Sequence, residues 1–253
     1  MNTIIGIIAA IIIFGILVVV HEGGHFTAAK LSGVRVNEFS VGMGPLIFSR
    51  KKGDTAYSLR LLPIGGYVAL EGEEGDSEDE RAFSAKPAWV RIIILAAGPF
   101  MNFAFAVAVL TAMIMILGHV PVIFQALILG IKNCLAIEGM ILQSLWDLIS
   151  GSASLNDLVG PVGIVDTVNK TAQQGITSLV GLTVVLSLNL GLFNILPFPA
   201  LDGGRILFAI IRALTGRAVS DEVENAIHFA GLMLLFGFMI IITIKDVNVF
   251  ILN

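Results

Sequence analysis

Charge is what this sequence has least of. Only 13% of its 253 residues are Asp, Glu, Lys or Arg, against ~25% in an ordinary soluble domain, and its mean hydropathy is +0.92. Too few charges are present to coat a soluble globule, and too many apolar residues for a disordered chain. The composition is that of a membrane protein. Cysteine is nearly absent as well. Cys134 stands alone in an apolar stretch, which excludes an intrachain disulfide and a Cys-pair metal or redox motif and leaves a buried, inert thiol as its reading. No basic patch interleaved with aromatics marks a nucleic-acid surface. No Lys or Arg precedes Lys30, and no small-residue cleavage site follows the first apolar run. The opening segment therefore reads as a retained span rather than a secretory signal.

What the sequence does have is long apolar runs. A membrane span takes ~20 mostly apolar residues, and four segments fit: Thr3–Val20, continuing as helix to residue 33; 90–118; 177–196, leading into a proline-rich break up to 204; and 226–246. Of fifteen Lys and Arg, nine lie from Lys30 to Arg91 and three from Arg205 to Arg217. These two loops follow the first and third spans, so an alternating four-span topology puts both on one side, the cytoplasm by the positive-inside rule. Segment 123–150 is also long and apolar, but it carries Lys132, Glu138 and Asp147. A fifth crossing there would move the Arg205–Arg217 loop to the other side, so we read it as an amphipathic helix in the outer interface. Residues 34–71 change character to short runs of Val, Phe, Tyr, Leu and Ile broken by glycines. Lys52-Gly53-Asp54 suits a hairpin turn, and a small membrane-associated β-hairpin is expected. Residues 72–89 form a strongly acidic cytoplasmic loop, which reads first as a solvated, flexible segment. The fold class is thus an α-helical polytopic membrane protein with about four transmembrane helices, a β-hairpin element and an interfacial helix, all in one domain.

The chemistry concentrates in two places. His21 and His25 are four apart, so a helix puts both imidazoles on one face one turn apart, as two ligands of a single tetrahedral Zn²⁺ require. Glu22 is offset by about 100° and can reach a metal-bound water without ligating the metal. Zinc lowers the pKa of such a water to ~7, and Glu22 can accept its proton as general base. Ionisable groups within a span cost ~2.5–3.5 kcal/mol each at the centre, so their grouping here calls for a partner. The bland alternative is a polar helix end meeting water. Gly23 and Gly24 weaken the helix and suggest close approach of another backbone or of substrate.

A third ligand is best supplied by Asp202, in Asn194-Ile-Leu-Pro-Phe-Pro-Ala-Leu-Asp-Gly-Gly204. Pro197 and Pro199 break the helix, and unwound backbone at membrane depth persists only where protein or a cavity covers it. Three protein ligands leave the open position that catalysis needs. Asn194 reads equally as a substrate-binding or oxyanion-stabilising donor and as a partner of carbonyls freed by the prolines. Asn102 reads first as interhelical glue and second as a substrate contact. His119 and His228 are unconnected to either motif and read as interfacial or packing residues.

With these motifs in place, the chain resembles the site-2 proteases, and among them the bacterial regulator-of-sigma-E protease (RseP-like) branch. The resemblance rests on His21-Glu22-Gly23-Gly24-His25, on Asn194…Pro197-Phe-Pro199-Ala-Leu-Asp202-Gly-Gly204, on Gly98-Pro99…Asn102-Phe103 and on Gly160-Pro-Val-Gly-Ile164. It implies a zinc endopeptidase of the bacterial inner membrane, its metal motif toward the cytoplasm. Its substrates would be transmembrane segments of other proteins, anti-sigma factors or remnant signal peptides among them. The 34–71 element would take the unwound substrate as an added strand. One departure stands out: that branch carries one or two PDZ domains between the second and third spans, and here Gly118-His-Val-Pro-Val122 leads directly to segment 123–150, leaving no room for one. Gating is therefore in question, whereas the metal chemistry is not. Two other classes compete. A transporter with an ion at a broken helix would show an inverted repeat, and none is found; an inactive homologue would lack Glu22 or a ligand, and all are present. Nothing in the sequence fixes the oligomeric state.

Overall fold

The computed structural model describes residues 3–250 apart from 74, 76, 119, 121, 155–157 and 216–218. In chain order the elements are α1 (Thr3–Leu31), β1 (Val36–Lys52), β2 (Thr55–Leu70), α2 (Ala88–Ile116), α3 (Ile123–Ile149), α4 (Pro161–Gln173), α5 (Ile176–Ile195), α6 (Asp202–Thr215) and α7 (Asp221–Phe250). Five of them, α1, α2, α3, α5 and α7, are long and apolar enough to cross a membrane. Such helices are apolar all round, as a span in lipid requires. Half-exposed Ile8, Ile12 and Ile16 on α1 and Leu234, Ile240 and Ile241 on α7 are side chains that water would not tolerate in such numbers.

Two compact units make up the chain. One holds residues 14–102 and 191–232. Its core is Ala29, Val34, Val36, Leu70, Phe83, Val90, Ile94 and Leu95, so the end of α1, the root of the β-element and the start of α2 share one apolar centre. The β-element bends back on itself. Residues 36–41 of β1 pair antiparallel with residues 66–70 of β2, through Val36–Leu70, Phe39–Val68 and Val41–Gly66. The same stretch lies on its other side against 56–59, where Glu38–Ala56, Phe39–Tyr57, Ser40–Ser58 and Val41–Leu59 rise in number together. The hairpin proper closes at Gly53-Asp54 with Lys52 opposite Thr55. Two consequences follow: residues 66–70 form a sheet edge, and the far end presents Met43, Leu46, Ile47 and Phe48 about half exposed, an apolar tip suited to lipid.

The acidic run after β2 is not the solvated loop its composition suggests. Glu71 accepts from Asn37 and Ser77, Asp79 pairs with Arg35 at 3.2 Å, and Glu73 pairs with Arg205. Basic residues from distant parts of the chain offset the repulsion that the run would suffer alone.

The other unit holds residues 1–13, 103–190 and 233–253. Ala106 of α2, Cys134 of α3 and Val184 and Leu188 of α5 form its buried cluster. The Cys134 thiol is buried and free. α3 packs lengthwise on α2, with a Cβ at Gly130 falling 2.5 Å from Thr111 Oγ1, and it has the length and hydropathy of a span, as the sequence of 123–150 indicates. α4 starts at Gly160-Pro161, with proline in the first turn where a missing N–H costs nothing. Its first donors, Gly160 N and Gly163 N, bond Asp246 Oδ2 of α7 at 2.9 and 2.7 Å.

Candidate metal centre

The first half of the site comes from one helical turn. α1 carries His21 and His25 on one face, both more than 90% buried, with ring centroids 4.9 Å apart and nearly perpendicular. The second half comes from a broken helix. α5 stops at Ile195, and the chain passes Pro197 and Pro199 in tight turns, Phe198 N bonding Leu196 O at 2.7 Å and Leu201 N bonding Phe198 O at 3.2 Å. Ala200 sits at φ 74°, a left-handed backbone rare without glycine. A Cβ at Gly203 would lie 2.1 Å from Leu196 O, so the turn closes only around a glycine. It delivers Asp202 as the first residue of α6, where the helix dipole favours an anion.

The three donor atoms converge. His21 Nε2 lies 3.0 Å and His25 Nε2 3.3 Å from Asp202 Oδ2, and the two Nε2 atoms are 3.3 Å apart. A tetrahedral ion with bonds of ~2.0–2.1 Å holds neighbouring donors about 3.3 Å apart, which is the triangle observed. Lone pairs aimed at one point repel unless a cation or proton lies between them, so the donor set fits a divalent ion. Burial alone would raise the Asp202 carboxyl, but the imidazoles of His21 and His25 outweigh it and hold it well below the usual carboxylate range, as an anion. No other group of three described His, Cys, Asp or Glu residues offers a comparable cluster.

Both imidazoles are anchored from behind, as metal-bound histidines are. His25 Nδ1–H donates to Ile94 O at 2.8 Å, which leaves the Nε2 lone pair free for the centre. His21 Nδ1 lies 3.1 Å from the side-chain amide of Asn102, itself fully buried. Amide oxygen and nitrogen are interchangeable by a flip. With the oxygen facing Nδ1–H, His21 too presents a bare Nε2. α2 comes this close because of two glycines. A Cβ at Gly24 would lie 2.3 Å from Ala97 O, and one at Gly98 2.2 Å from His25 Nε2. Gly23, by contrast, has nothing within 4 Å, so only one of the two α1 glycines serves close approach.

A cavity of about 300 Å³ opens on the centre, lined by His21, Glu22, His25 and Asp202 on one side and by Gly66, Tyr67 and Val68 of the sheet edge on the other. Glu22 is thus in the cavity beside the donor triangle. Asn102 stands behind His21 instead, and Asn194, half-buried on the last turn of α5, does not line the cavity.

The family comparison decides what this arrangement belongs to. Residues 9–238, nearly the whole chain, match the model for peptidase family M50. The chain is a member of that family. Its relatives include a candidate zinc metalloprotease of Fusobacterium nucleatum, 32% identical over 94% of this chain and 97% of that protein. Another is a candidate zinc metalloprotease of Clostridium perfringens, 29% identical over 95% and 98%. The regulator of sigma-W protease RasP of Bacillus subtilis is 26% identical over 96% and 98%. The first and last alignments run to 330 and 413 positions, longer than the 253-residue chain itself. These M50 relatives therefore carry internal residues without a counterpart here. Family and helices together make this a multi-pass membrane protein.

Sequence reasoning missed the supports of the centre. Ile94 O and Gly98 meet His25 only through helix packing. His228, read as a packing residue, accepts the Ala200 N–H on Nδ1 at 2.9 Å and so holds the turn before Asp202. The left-handed Ala200 has no signature in sequence. His119 lies outside the described residues.

Proposed function

We propose that this M50 member is a zinc endopeptidase that cuts peptide bonds within transmembrane segments, with His21, His25 and Asp202 as metal ligands and Glu22 as general base. The observation that carries the reading is the triangle of three donor atoms whose two imidazoles are tied back at Nδ1. Bound zinc would supply Lewis-acid chemistry, acidifying water to a pKa of ~7 and polarising a carbonyl. Glu22 takes the proton of the attacking water and returns it to the leaving amine, so one carboxylate serves both transfers. A helical substrate must unwind first, because its own hydrogen bonds shield its carbonyls. The sheet edge at 66–70, facing the cavity, offers backbone pairing to such an extended segment, and Tyr67 and Val68 flank it. Asn194, one turn before the break, is assigned to holding substrate backbone beyond the cavity.

The topology we infer has four net crossings. In the unit containing α3, the end of α2 lies beside the start of α5, so the chain between them returns to the end it left. A segment that leaves and returns at one end adds no net crossing, so the Lys30–Arg91 and Arg205–Arg217 loops share one side. By the positive-inside rule that side is the cytoplasm, with the metal motif toward it, in a bacterial inner membrane. Anti-sigma factors and remnant signal peptides are the substrate classes we assign; one relative's name, regulator of sigma-W protease, supports the first.

The test is cleavage of a co-expressed model span. Glu22→Gln should retain zinc and lose about 10²–10⁴-fold in rate. Undiminished cleavage by that variant would remove Glu22 from the mechanism.

A further inference from the structure

The sheet edge that faces the cavity beside His21, His25 and Asp202 ends sooner than its strand does. Val36 lies opposite Leu70, and the flanking bond, Glu71 N–H to Arg35 O at 2.9 Å, marks that couple as a non-hydrogen-bonded pair of an antiparallel ladder. The N–H and C=O of Leu70 therefore point away from β1, onto the free edge. Alternation along the strand puts those of Val68 and Gly66 on the same side. These outward groups form a row that leads away from Glu22. Gly66 is the nearest, since a Cβ there would lie 3.2 Å from Glu22 Cγ. Leu70 is the farthest, packed in one core with Ala29 and Val34 at the end of α1.

Glu73 has taken the last place in the row. Its Oε2 accepts the Leu70 N–H, and its own N–H donates to Leu70 O, each at 3.4 Å. These are long bonds, weak on their own. The other carboxylate oxygen, Oε1, pairs with Arg205 in the first turn of α6 and helps to keep the side chain, 16% exposed, across the edge. Room does not run out here. A cavity of about 470 Å³ continues beyond, lined by Asn37, Ala69, Glu71 and Ser77. Val68, Leu70, Glu73 and Arg205 line both this cavity and the one on Glu22. The ion pair thus stands where two halves of one groove meet, and a side chain, not a wall, closes the edge.

Resting on the reading of this edge as the one that takes an unwound substrate, we propose that Glu73 is a specificity-determining residue. It ends the substrate strand at Val68 by holding the backbone groups of Leu70 itself. A strand matched to residues 66–68 is about three residues long, less than one helical turn of 3.6. On this side of the cut, cytoplasmic in the topology above, a substrate helix has to unwind by only about one turn. Residues unwound further gain no pairing.

The test reads binding rather than cleavage, on the full chain carrying Glu22→Gln in detergent. Fluorescence anisotropy follows labelled model-span peptides that each carry one backbone N-methyl group, moved stepwise along the cytoplasmic flank. The methyl group removes one backbone donor, so a lost ladder bond should weaken binding about two- to tenfold. Two sensitive positions are expected, two residues apart, facing Gly66 and Val68. Adding Glu73→Ala should create one more, two residues further on, and tighten the unmodified peptide by up to about tenfold. Glu73→Asp is too short to reach both Leu70 and Arg205, and serves if the alanine variant does not fold. It should give the same extra position with a gain of about threefold. A sensitive position opposite Leu70 before Glu73 is changed, or none added in either Glu73 variant, overturns the proposal. Insensitivity at every position overturns it together with edge pairing. If the expected pattern holds but the wild-type chain cuts none of these peptides, the endopeptidase reading falls and the role of Glu73 as a strand stop is supported.

Discussion

Two aspartates beside proline-marked breaks, Asp246 fully buried and Asp202 half-buried, meet opposite fates in this protein. Asp246 on α7 is fully buried, and its Oδ2 accepts the Gly160 and Gly163 N–H groups that open α4. Its neighbours on that side are donors, and Oδ2 serves as a helix cap. Asp202 at the start of α6 faces the Nε2 atoms of two imidazoles; His25 Nδ1–H donates away from it to Ile94 O, and the Asn102 amide backs His21 Nδ1, whose proton turns the same way once the amide is flipped. Its neighbours are lone pairs, so only a cation completes the group. A nearby proline does not tell a cap from a ligand; the groups that face the carboxylate do, backbone N–H donors for Asp246 and imidazole Nε2 atoms for Asp202. The two glycine motifs follow the same division. A Cβ at Gly160 would press on Ile242 and Asp246 Oδ2, which protects a cap, whereas one at Gly98 would press on His25 Nε2, which protects the proposed metal site.

That contrast is sharpest in zinc content. Asp202→Ala should reduce bound zinc from about one per chain to near none, since ligand loss forfeits much of a binding energy of order 10 kcal/mol, while Asp246→Ala should leave the stoichiometry unchanged. Elemental analysis of the purified variants decides it, and equal zinc in both would erase the distinction. Asp246→Ala should instead appear as instability. Two orphaned backbone donors cost about 2–6 kcal/mol together, read as a fall in thermal unfolding midpoint at full zinc occupancy. Asn102→Ala tests the support behind His21 and should weaken metal affinity about 10–100-fold, measured by competition with a chelator. An unchanged affinity would reduce Asn102 to a bond between helices.

The smallest effect belongs to the β-element. Burial would raise the Glu38 carboxyl, but hydrogen bonds from Ser58, Arg60 and Tyr67 outweigh it and lower it below its ordinary 4.5. A lowered folded-state value means its contribution is whole above that ordinary value and fades as pH falls further, through the folded one. Glu38→Gln should cost no more than about 1 kcal/mol, given its part exposure. The difference from wild type should vanish in strongly acidic solution, and a difference that grows on acidification would reverse the sign argued here.

How much of this was legible in the residues depends on distance along the chain. His21, Glu22 and His25 lie within two helical turns, and the helical repeat alone puts two imidazoles on one face. Asp202 is remote, but it announced itself through Pro197, Pro199 and Gly203, which break a span where a span should not break. The supports did not announce themselves. Ile94 O is a backbone carbonyl without a side-chain signature, and His228 meets Ala200 only because α7 packs on the turn. The acidic run after β2 misled for the same reason, since Arg35 and Arg205, which tie it down, lie far off in sequence.

Composition and local period, then, were enough to determine membrane residence and the long apolar helices, and to nominate the break after the third predicted span, three candidate ligands and a candidate base. These properties follow from hydropathy and from dihedral preferences acting over a few residues. Which carboxylate meets imidazole nitrogens and which meets N–H donors was decided only when distant segments packed. Hydrogen-bond partners are assigned by contact in space, and chain order does not encode them.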